Sequence, residues 1–327
     1  YQALEIDFTR RLTLLQGSNA QGKTNLLEAL YLLATSKPVH APTDQEIVDW
    51  RAQEEPIPYC RVAAILRAGD DERERDLELE IVYSPRRDGA NFSKQVKING
   101  VSKRSMDLIG LMRAVLFLPE DITLVDGSPG ERRRYLDIAL CQIDPVYCRA
   151  LSAYQKVLAQ RNGLLKNLRA QGVRSGAPET AAQLDFWDEK LILHGGVVVT
   201  RRHNFVAQLD PLARRVHTKL SGGTEQLSMQ YLPSFGYGPL AGVEFAQGHM
   251  DATSQEWIDL SSVEVSAEEV TAQFQAKLLQ ERGRELAAGL TLHGPHRDDL
   301  RFLANKRDLR TYGSRGQQRS AAPVSYT

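Results

Sequence analysis

The run Gly17-Ser18-Asn19-Ala20-Gln21-Gly22-Lys23-Thr24 constrains the chain more than any other stretch, because it meets every fixed position of G-x-x-x-x-G-K-[ST]. Such a loop works between a strand and a helix: glycines let the backbone amides turn inward around an anion, and the helix adds the positive end of its dipole. The flanks read that way. Leu4, Ile6 and Phe8 alternate with polar residues as in a half-buried strand, and Leu12 to Leu15 is a short apolar run leading toward Gly17. Leu26, Leu27, Leu30, Tyr31 and Leu33 then recur at helical spacing, with no breaker before Pro38. Lys23 is expected to reach the β- and γ-phosphates and the Thr24 hydroxyl to ligate a metal, which makes ATP and Mg²⁺ the expected cofactors. The competing reading is an ordinary glycine turn ahead of a helix. Eight matching positions in the right context favour the nucleotide.

Beyond the first helix, Arg61 to Leu66, Leu77 to Tyr83 and Gln95 to Ile98 have strand-like patterns, and Asn99-Gly100 is a two-residue hairpin signal. An antiparallel side sheet is expected there. The apolar run Ala114 to Leu118 reads as a buried strand that stops at Pro119-Glu120-Asp121. Helical signals follow. Ser128-Pro129-Gly130-Glu131 reads as a capping box with proline at the first helical position, and Asp144-Pro145 opens a second helix in the same way. Along that helix Tyr147, Leu151, Tyr154, Leu158, Leu165 and Leu168 follow a four-three spacing, with Arg161 at the remaining seam position. After a polar loop from Gln171 to Pro178, a similar spacing runs from Leu184 to Leu220, interrupted by His194, Arg201 and the breaker Pro211. A helical hairpin is the simplest product. Leu227 to Leu232 alternates like a strand, Ser266 to Leu286 has helical spacing with Glu268 and Glu269 in its first turn, and an Arg-rich segment begins at Leu290.

At 327 residues, one large domain or two lobes is expected. Lys plus Arg and Asp plus Glu both number 41, so nucleic-acid binding would have to come from local basic patches. Cys60, Cys141 and Cys148 form no CxxC pair, which points away from a disulfide framework or a zinc site and toward a reducing cytosol. No apolar run approaches a membrane-spanning length, so a cytoplasmic protein without a membrane partner is expected. Residue 1 is Tyr and a helix-like pattern runs up to Thr327, so both ends are expected to continue.

Two stretches compete for the role of an ABC-type signature, the loop that grips the γ-phosphate held by an opposite subunit. Leu220-Ser221-Gly222-Gly223 has the letters, but a signature must open a helix, and Leu227, Met229 and Tyr231 after it alternate as a strand. A turn into a strand is the better reading. Tyr312-Gly313-Ser314-Arg315-Gly316-Gln317-Gln318-Arg319 offers a serine, a glycine and a glutamine in the required arrangement, with Ser320-Ala321-Ala322 as the expected helix start. Taken alone it also reads as a basic glycine turn.

Together these stretches resemble the RecF family. The resemblance rests on Gly17 through Ser36, Phe117-Leu118-Pro119-Glu120-Asp121, Gly127-Ser128-Pro129 with Arg132 through Asp137, Gly294-Pro295-His296-Arg297-Asp298-Asp299, and Tyr312 through Arg319, in that order along essentially the whole chain. It implies an α/β fold: a P-loop, ABC-ATPase-like head with an antiparallel side sheet and an inserted helical lobe. The expected boundaries are 1–122 for the N-terminal half of the head, 123–289 for the helical lobe and 290–327 for the part of the head that carries the signature. It further implies a cytosolic recombinational-repair and replication protein that dimerises on ATP and binds single- and double-stranded DNA. The implied partners are RecR and RecO, in loading RecA, and in the complete protein a weak DNA-dependent ATPase. By resemblance Gly17, Ser18, Asn19, Ala20, Gln21, Gly22, Lys23 and Thr24 bind ATP, Ser314, Gly316 and Gln317 act in trans, and Glu120 and Asp121 lie where related heads sense metal and γ-phosphate. The family's metal-holding aspartates follow the signature on a later strand and have no counterpart before Thr327. ATP binding without effective hydrolysis is therefore the expectation for these residues, and no catalytic residue is assigned. The family also has a strand before Tyr1 and a more basic loop than Ser36-Lys37-Pro38-Val39-His40.

His296-Arg297-Asp298-Asp299 has the letters of a metal or acid/base cluster, but adjacent turn residues rarely converge on one ion. A hairpin turn organising the nucleotide-facing edge is preferred. Arg132, Arg133 and Arg134 fan around a helix, so at least one is expected to be structural. Lys94, Lys97, Lys103 and Arg104 flank the Asn99-Gly100 turn as a DNA-phosphate contact or a plain exposed hairpin, and the basic residues between Arg297 and Arg319 read equally as DNA contact or solvated surface. Two other functions remain as alternatives: a nucleotide-binding subunit of an ABC transporter, using Ser221 to Gly223, and a P-loop phosphotransferase acting on a small acceptor.

Overall fold

A computed structural model of the chain describes residues 2–40, 43–49, 51–52, 58–67, 76–86, 92–172, 178–238 and 263–324. They form two compact units, 1–116 and 117–327.

In the first unit, helix α1 (Lys23–Thr35) packs its last turn, Leu32, Leu33 and Ala34, toward an antiparallel meander. The meander is β1 (Cys60–Leu66), β2 (Leu77–Pro85), β3 (Phe92–Ile98) and β4 (Val101–Lys103), in that order. The period-two pattern of β2 decides which face is buried: Leu79, Ile81 and Tyr83 are inaccessible to solvent and meet Val96, Val48 and Leu108. Asn99 and Gly100, with φ of 49° and 74°, make the left-handed two-residue turn between β3 and β4 that the Asn-Gly pair announced. A four-residue helix, α2 (Ser105–Leu108), follows, capped by Asp107, whose carboxylate takes the Arg104 N–H at 3.1 Å.

Two expected strands are not formed. Residues 2–22 carry no ladder hydrogen bonds, and Leu4, Ile6, Phe8, Leu12 and Leu14 are exposed. Alternation specifies which face a strand would bury but supplies no partner, and no described segment pairs with this one. Ala114 to Leu118 is likewise not a strand, and Val115 and Phe117 are exposed.

The second unit begins with a 3₁₀ turn, Pro119–Ile122, fastened by the Leu118 N–H donating to Asp121 Oδ2 at 2.6 Å, and a short helix α3 (Thr123–Asp126). Helix α4 (Pro129–Ile143) starts at the expected capping box: Ser128 Oγ accepts from the Glu131 N–H at 3.4 Å, and Glu131 Oε2 accepts from the Ser128 N–H at 2.6 Å. Helix α5 (Pro145–Ala170) is capped by Asp144, whose carboxylate accepts the Val146 and Tyr147 amides. Helix α6 (Pro178–Leu220) packs along α5, giving the expected hairpin, and continues through Pro211. Proline there forfeits one backbone bond, but Val206, Leu209 and Ala213 around it are buried and hold the helix in place. Gly195 lets α6 approach its neighbours: a Cβ there would stand 2.6 Å from the Phe274 ring and 3.0 Å from that of Tyr154.

Strand β5 (Leu227–Leu232) follows, then α7 (Ala267–Ala288), capped by Ser266 and packed on α5 and α6. β6 (Asp299–Ala304) pairs antiparallel with β5 and with the two-residue β7 (Arg307–Asp308). The unit closes with α8 (Leu309–Tyr312) and α9 (Arg315–Val324). Among the described residues no helix is long and apolar enough to cross a membrane.

Candidate nucleotide site and signature turn

The Gly17–Thr24 loop turns into α1 through two left-handed residues, Ala20 at φ 62° and Gly22 at φ 82°. No side chain caps α1 and no acidic residue lies in its first turn, so its leading amides and dipole face outward uncompensated. The first intrahelical bond, from the Leu26 N–H to Gly22 O, spans 3.1 Å. Lys23 folds back over the loop, its Nζ donating to Gly17 O at 2.8 Å and Ser18 O at 2.6 Å. A lysine held against two loop carbonyls is already at the mouth of the turn, where a phosphate would exchange those neutral acceptors for charged ones. Thr24 is exposed at the second helical position. An open concavity of about 610 Å³ is lined by Gly17, Ser18, Gln21 and Lys23 and by the apolar Leu4, Ile6, Leu14, Leu15 and Leu26.

The opposite end of α1 is a second polar locus. Ser36 adopts φ 56°, and Lys94 from β3 donates to its carbonyl. Burial pushes the Lys94 ammonium down to about 8. Lys97 pairs with Glu80 at 3.1 Å and Arg104 with Asp107 at 3.0 Å, and of that basic quartet Lys103 and Arg104 are exposed. His40 meets Glu28 at 2.9 Å.

In the second unit, the serine and glutamine of the signature stretch cap each other at the start of α9. Ser314 Oγ accepts from the Gln317 N–H at 3.2 Å, and Gln317 Oε1 accepts from the Ser314 N–H at 2.8 Å. The helix thus begins at Arg315, five residues earlier than Ser320. The S-x-x-Q pattern that produces this is a capping box and was readable in the sequence. Ser314 and Gly316 are exposed, and Arg315 pairs with Asp126. Because the Ser314 hydroxyl oxygen already accepts a backbone bond, its proton is left to donate outward, beside the first-turn amides of α9.

Ser221-Gly222-Gly223 ends a helix instead of opening one. Gly222 and Gly223 take φ of 61° and 84°, and the Gly223 N–H returns to Thr218 O at 2.8 Å, closing the last turn of α6. This is the turn into a strand that the alternation of Leu227, Met229 and Tyr231 required.

The Gly294–Asp299 segment corrects its expected role. It is a turn leading into β6, not a hairpin; His296, Asp298 and Asp299 are engaged by other elements of the unit, while Arg297 is exposed. Asp298 is buried, accepting from the Tyr231 hydroxyl and, at 2.7 Å, from the Ser234 N–H. Burial raises its carboxyl above the usual range. His296 bonds the Tyr154 hydroxyl at 2.6 Å, and burial pushes its imidazole down to about 4. Asp299 holds Arg132 in a two-pronged pair at 2.7 and 3.0 Å, and Arg133 donates to Asp298 O at 2.8 Å, so two of the three consecutive arginines are structural. Among the described residues no group of three His, Cys, Asp or Glu side chains is placed to hold a metal. Glu120 is exposed, while Asp121 is engaged in its cap.

Sequence reasoning missed the link from the signature turn to Glu225, whose Oε1 accepts from Gln317 Nε2 at 2.8 Å, because 92 residues separate the two. It also missed the buried Arg202, which bonds Asp137, Tyr147 and the Pro295 carbonyl.

Residues 1–233 match the family model described as the RecF/RecN/SMC N terminal domain, a class of P-loop head proteins. DNA replication and repair protein RecF of Chloroflexus aurantiacus is 40% identical over 98% of this chain and 76% of its own length. The RecF of Herpetosiphon aurantiacus is 38% identical over the same shares, 98% and 76%. The chain belongs to the RecF family of DNA replication and repair proteins. Its α/β fold is that of solved RecF structures. The recombination mediator protein RecF of the RecFOR pathway in an ATPrS form superposes with a TM-score of 0.73 at 29% identity, covering 95% of this chain and 72% of that one. The ATP form gives 0.74 at 28% identity, covering 94% and 70%.

Proposed function

We propose that this chain binds ATP at Gly17 to Thr24 and uses it to control a homodimer that acts on DNA in recombinational repair and replication. One observation carries the reading: the N-terminus of α1 has neither a capping side chain nor an acidic residue, and Lys23 is folded over it. A helix end left uncompensated beside a lysine is an anion site. Mg²⁺ would be held by the Thr24 hydroxyl together with the nucleotide's own phosphates, since no described carboxylate cluster is there to cage it. The metal supplies neutralisation of phosphate charge. Ser314, Gly316 and Gln317 then grip the γ-phosphate bound by a second copy, through the outward serine proton and the first-turn amides of α9.

Solved relatives in ATP and ATPrS forms support the nucleotide, and the RecFOR pathway they serve supports RecO and RecR as partners. DNA contact runs through backbone phosphates, with no aromatic-interleaved basic stripe to read bases. Within this reading the head comprises residues 1–122 and 290–327 around a helical lobe at 123–289, and the protein works in the cytoplasm.

The test is titration of the chain with a fluorescent ATP analogue, with mass followed by sedimentation. Lys23→Ala is expected to abolish binding, and Ser314→Ala to retain binding while losing nucleotide-dependent association. Undiminished binding by Lys23→Ala would sink the proposal. DNA affinity that ignored both nucleotide and salt would remove its second half.

A further inference from the structure

The glutamine of the signature turn is not held by that turn alone. Its carbonyl oxygen is taken by the Ser314 N–H at 2.8 Å, and its amide nitrogen donates to Glu225 Oε1 at 2.8 Å. Those two contacts also fix which way round the amide sits, because an N–H must face an oxygen and a carboxylate must face the NH₂. The other oxygen of the carboxylate, Oε2, meets His217 Nε2 at 2.9 Å. The His217 ring is buried in the last turn of α6, and its Nδ1 has no hydrogen-bond partner. Nε2 is therefore the nitrogen that carries the proton toward Glu225. The carboxylate lies below the usual range, held there first by Gln317 and then by His217.

The Ser221-Gly222-Gly223 run accounts for how Glu225 reaches this place. Two left-handed glycines reverse the chain within one turn of the end of α6. The Glu225 N–H then donates to Ser221 Oγ at 3.4 Å, and Ser221 Oγ to Glu225 O at 3.4 Å, setting the residue back beside His217. The result is a continuous chain of contacts from α6, a helix of 43 residues, through His217 and Glu225 to Gln317 and the backbone of Ser314.

We infer that Glu225 is the positioning residue of the phosphate-gripping turn, and that through it the end of α6 sets whether Ser314 and the first amides of α9 are presented to a nucleotide. The inference rests on the proposed role of Ser314, Gly316 and Gln317 in trans. Without the carboxylate the Gln317 amide is free to rotate, the Ser314 N–H loses its acceptor, and the turn loses its fixed geometry. A displacement of α6 by DNA or a partner would reach the nucleotide by the same route.

The test uses the full chain at saturating ATPγS and Mg²⁺, with bound nucleotide counted per chain and association measured by sedimentation equilibrium. Glu225→Ala is expected to weaken association about tenfold for each turn it disturbs, the effect of losing one charge-assisted hydrogen bond. Nucleotide bound per chain is expected to stay at the wild-type level, because a merely structural loss would take binding at Gly17 to Thr24 with it. Glu225→Gln keeps an oxygen for the Gln317 amide, and association should return to within about threefold of wild type. Wild-type association by Glu225→Ala, loss of bound nucleotide together with association, or a Glu225→Gln variant no better than Glu225→Ala overturns the inference. If Glu225→Ala fails to fold, Glu225→Leu, which keeps the volume and offers no acceptor, takes its place. A wild-type chain that stays monomeric with nucleotide bound overturns the in-trans reading itself and this inference with it.

Discussion

Arg161 offers the sharpest test of how the helical lobe is held. It sits at a seam position of α5, fully buried, and its guanidinium donates to Asp188 at 2.6 Å, Glu285 at 2.6 Å and Thr291 at 2.7 Å. The two carboxylates differ in what else they have. Asp188 also accepts from Arg282 at 2.7 Å, whereas Glu285, equally buried, has besides Arg161 the Leu292 N–H at 2.8 Å. Arg161→Met keeps most of the volume and removes the cation, leaving Glu285 charged in a dry site. Stranding one partner of a buried pair costs about 3–5 kcal/mol, far more than the about 1 kcal/mol lost with the threonine contact. Adding Glu285→Gln removes the stranded charge and keeps an oxygen for Leu292, so the double variant should recover at least half of the loss. Urea unfolding followed by the fluorescence of Trp187, next to Asp188 on α6, and by circular dichroism measures both. A loss under about 1 kcal/mol for Arg161→Met, or a double variant less stable than the single, would refute the reasoning.

Two further outcomes are expected. His296 is held down to about 4 against 6.5 when unfolded, so the unfolded chain binds more protons between those values. Stability is then full above pH 6.5 and is lost as pH falls toward 4; between pH 7 and pH 5 the loss is about 2 kcal/mol, and His296→Gln should flatten that part of the pH profile. Gly195→Ala sets a helix-propensity gain of about 1 kcal/mol against overpacking on Phe274 and Tyr154 worth about 1–3 kcal/mol, and net destabilisation in thermal melts is expected.

Much of the local structure was legible because its causes are local. Ser128 with Glu131 and Asp144 with Pro145 start helices through contacts within four residues, and Asn99-Gly100 turns a hairpin through backbone freedom alone. The alternation of Leu227, Met229 and Tyr231 was enough to disqualify Ser221-Gly222-Gly223 as a helix-opening loop. Where an element depends on a partner, the pattern misled. Leu4 to Phe8 and Ala114 to Leu118 alternate or cluster as strands do, yet a strand exists only in a ladder, and none is formed. Pro211 reads as a breaker, yet packing on both sides outweighs one missing hydrogen bond.

The same division runs through the sites. Sequence was enough for the turn from Gly17 to Thr24 into α1, since spacing, glycines and the following helix are contiguous, and for Arg161 facing a helical seam. Tertiary packing set what Arg161 meets there, that His296, Asp298 and Asp299 turn inward, and that Gln317 is tied to Glu225. Those outcomes depend on residues dozens to more than a hundred positions apart. A buried polar group must find partners wherever folding brings them, and no local pattern encodes which they are.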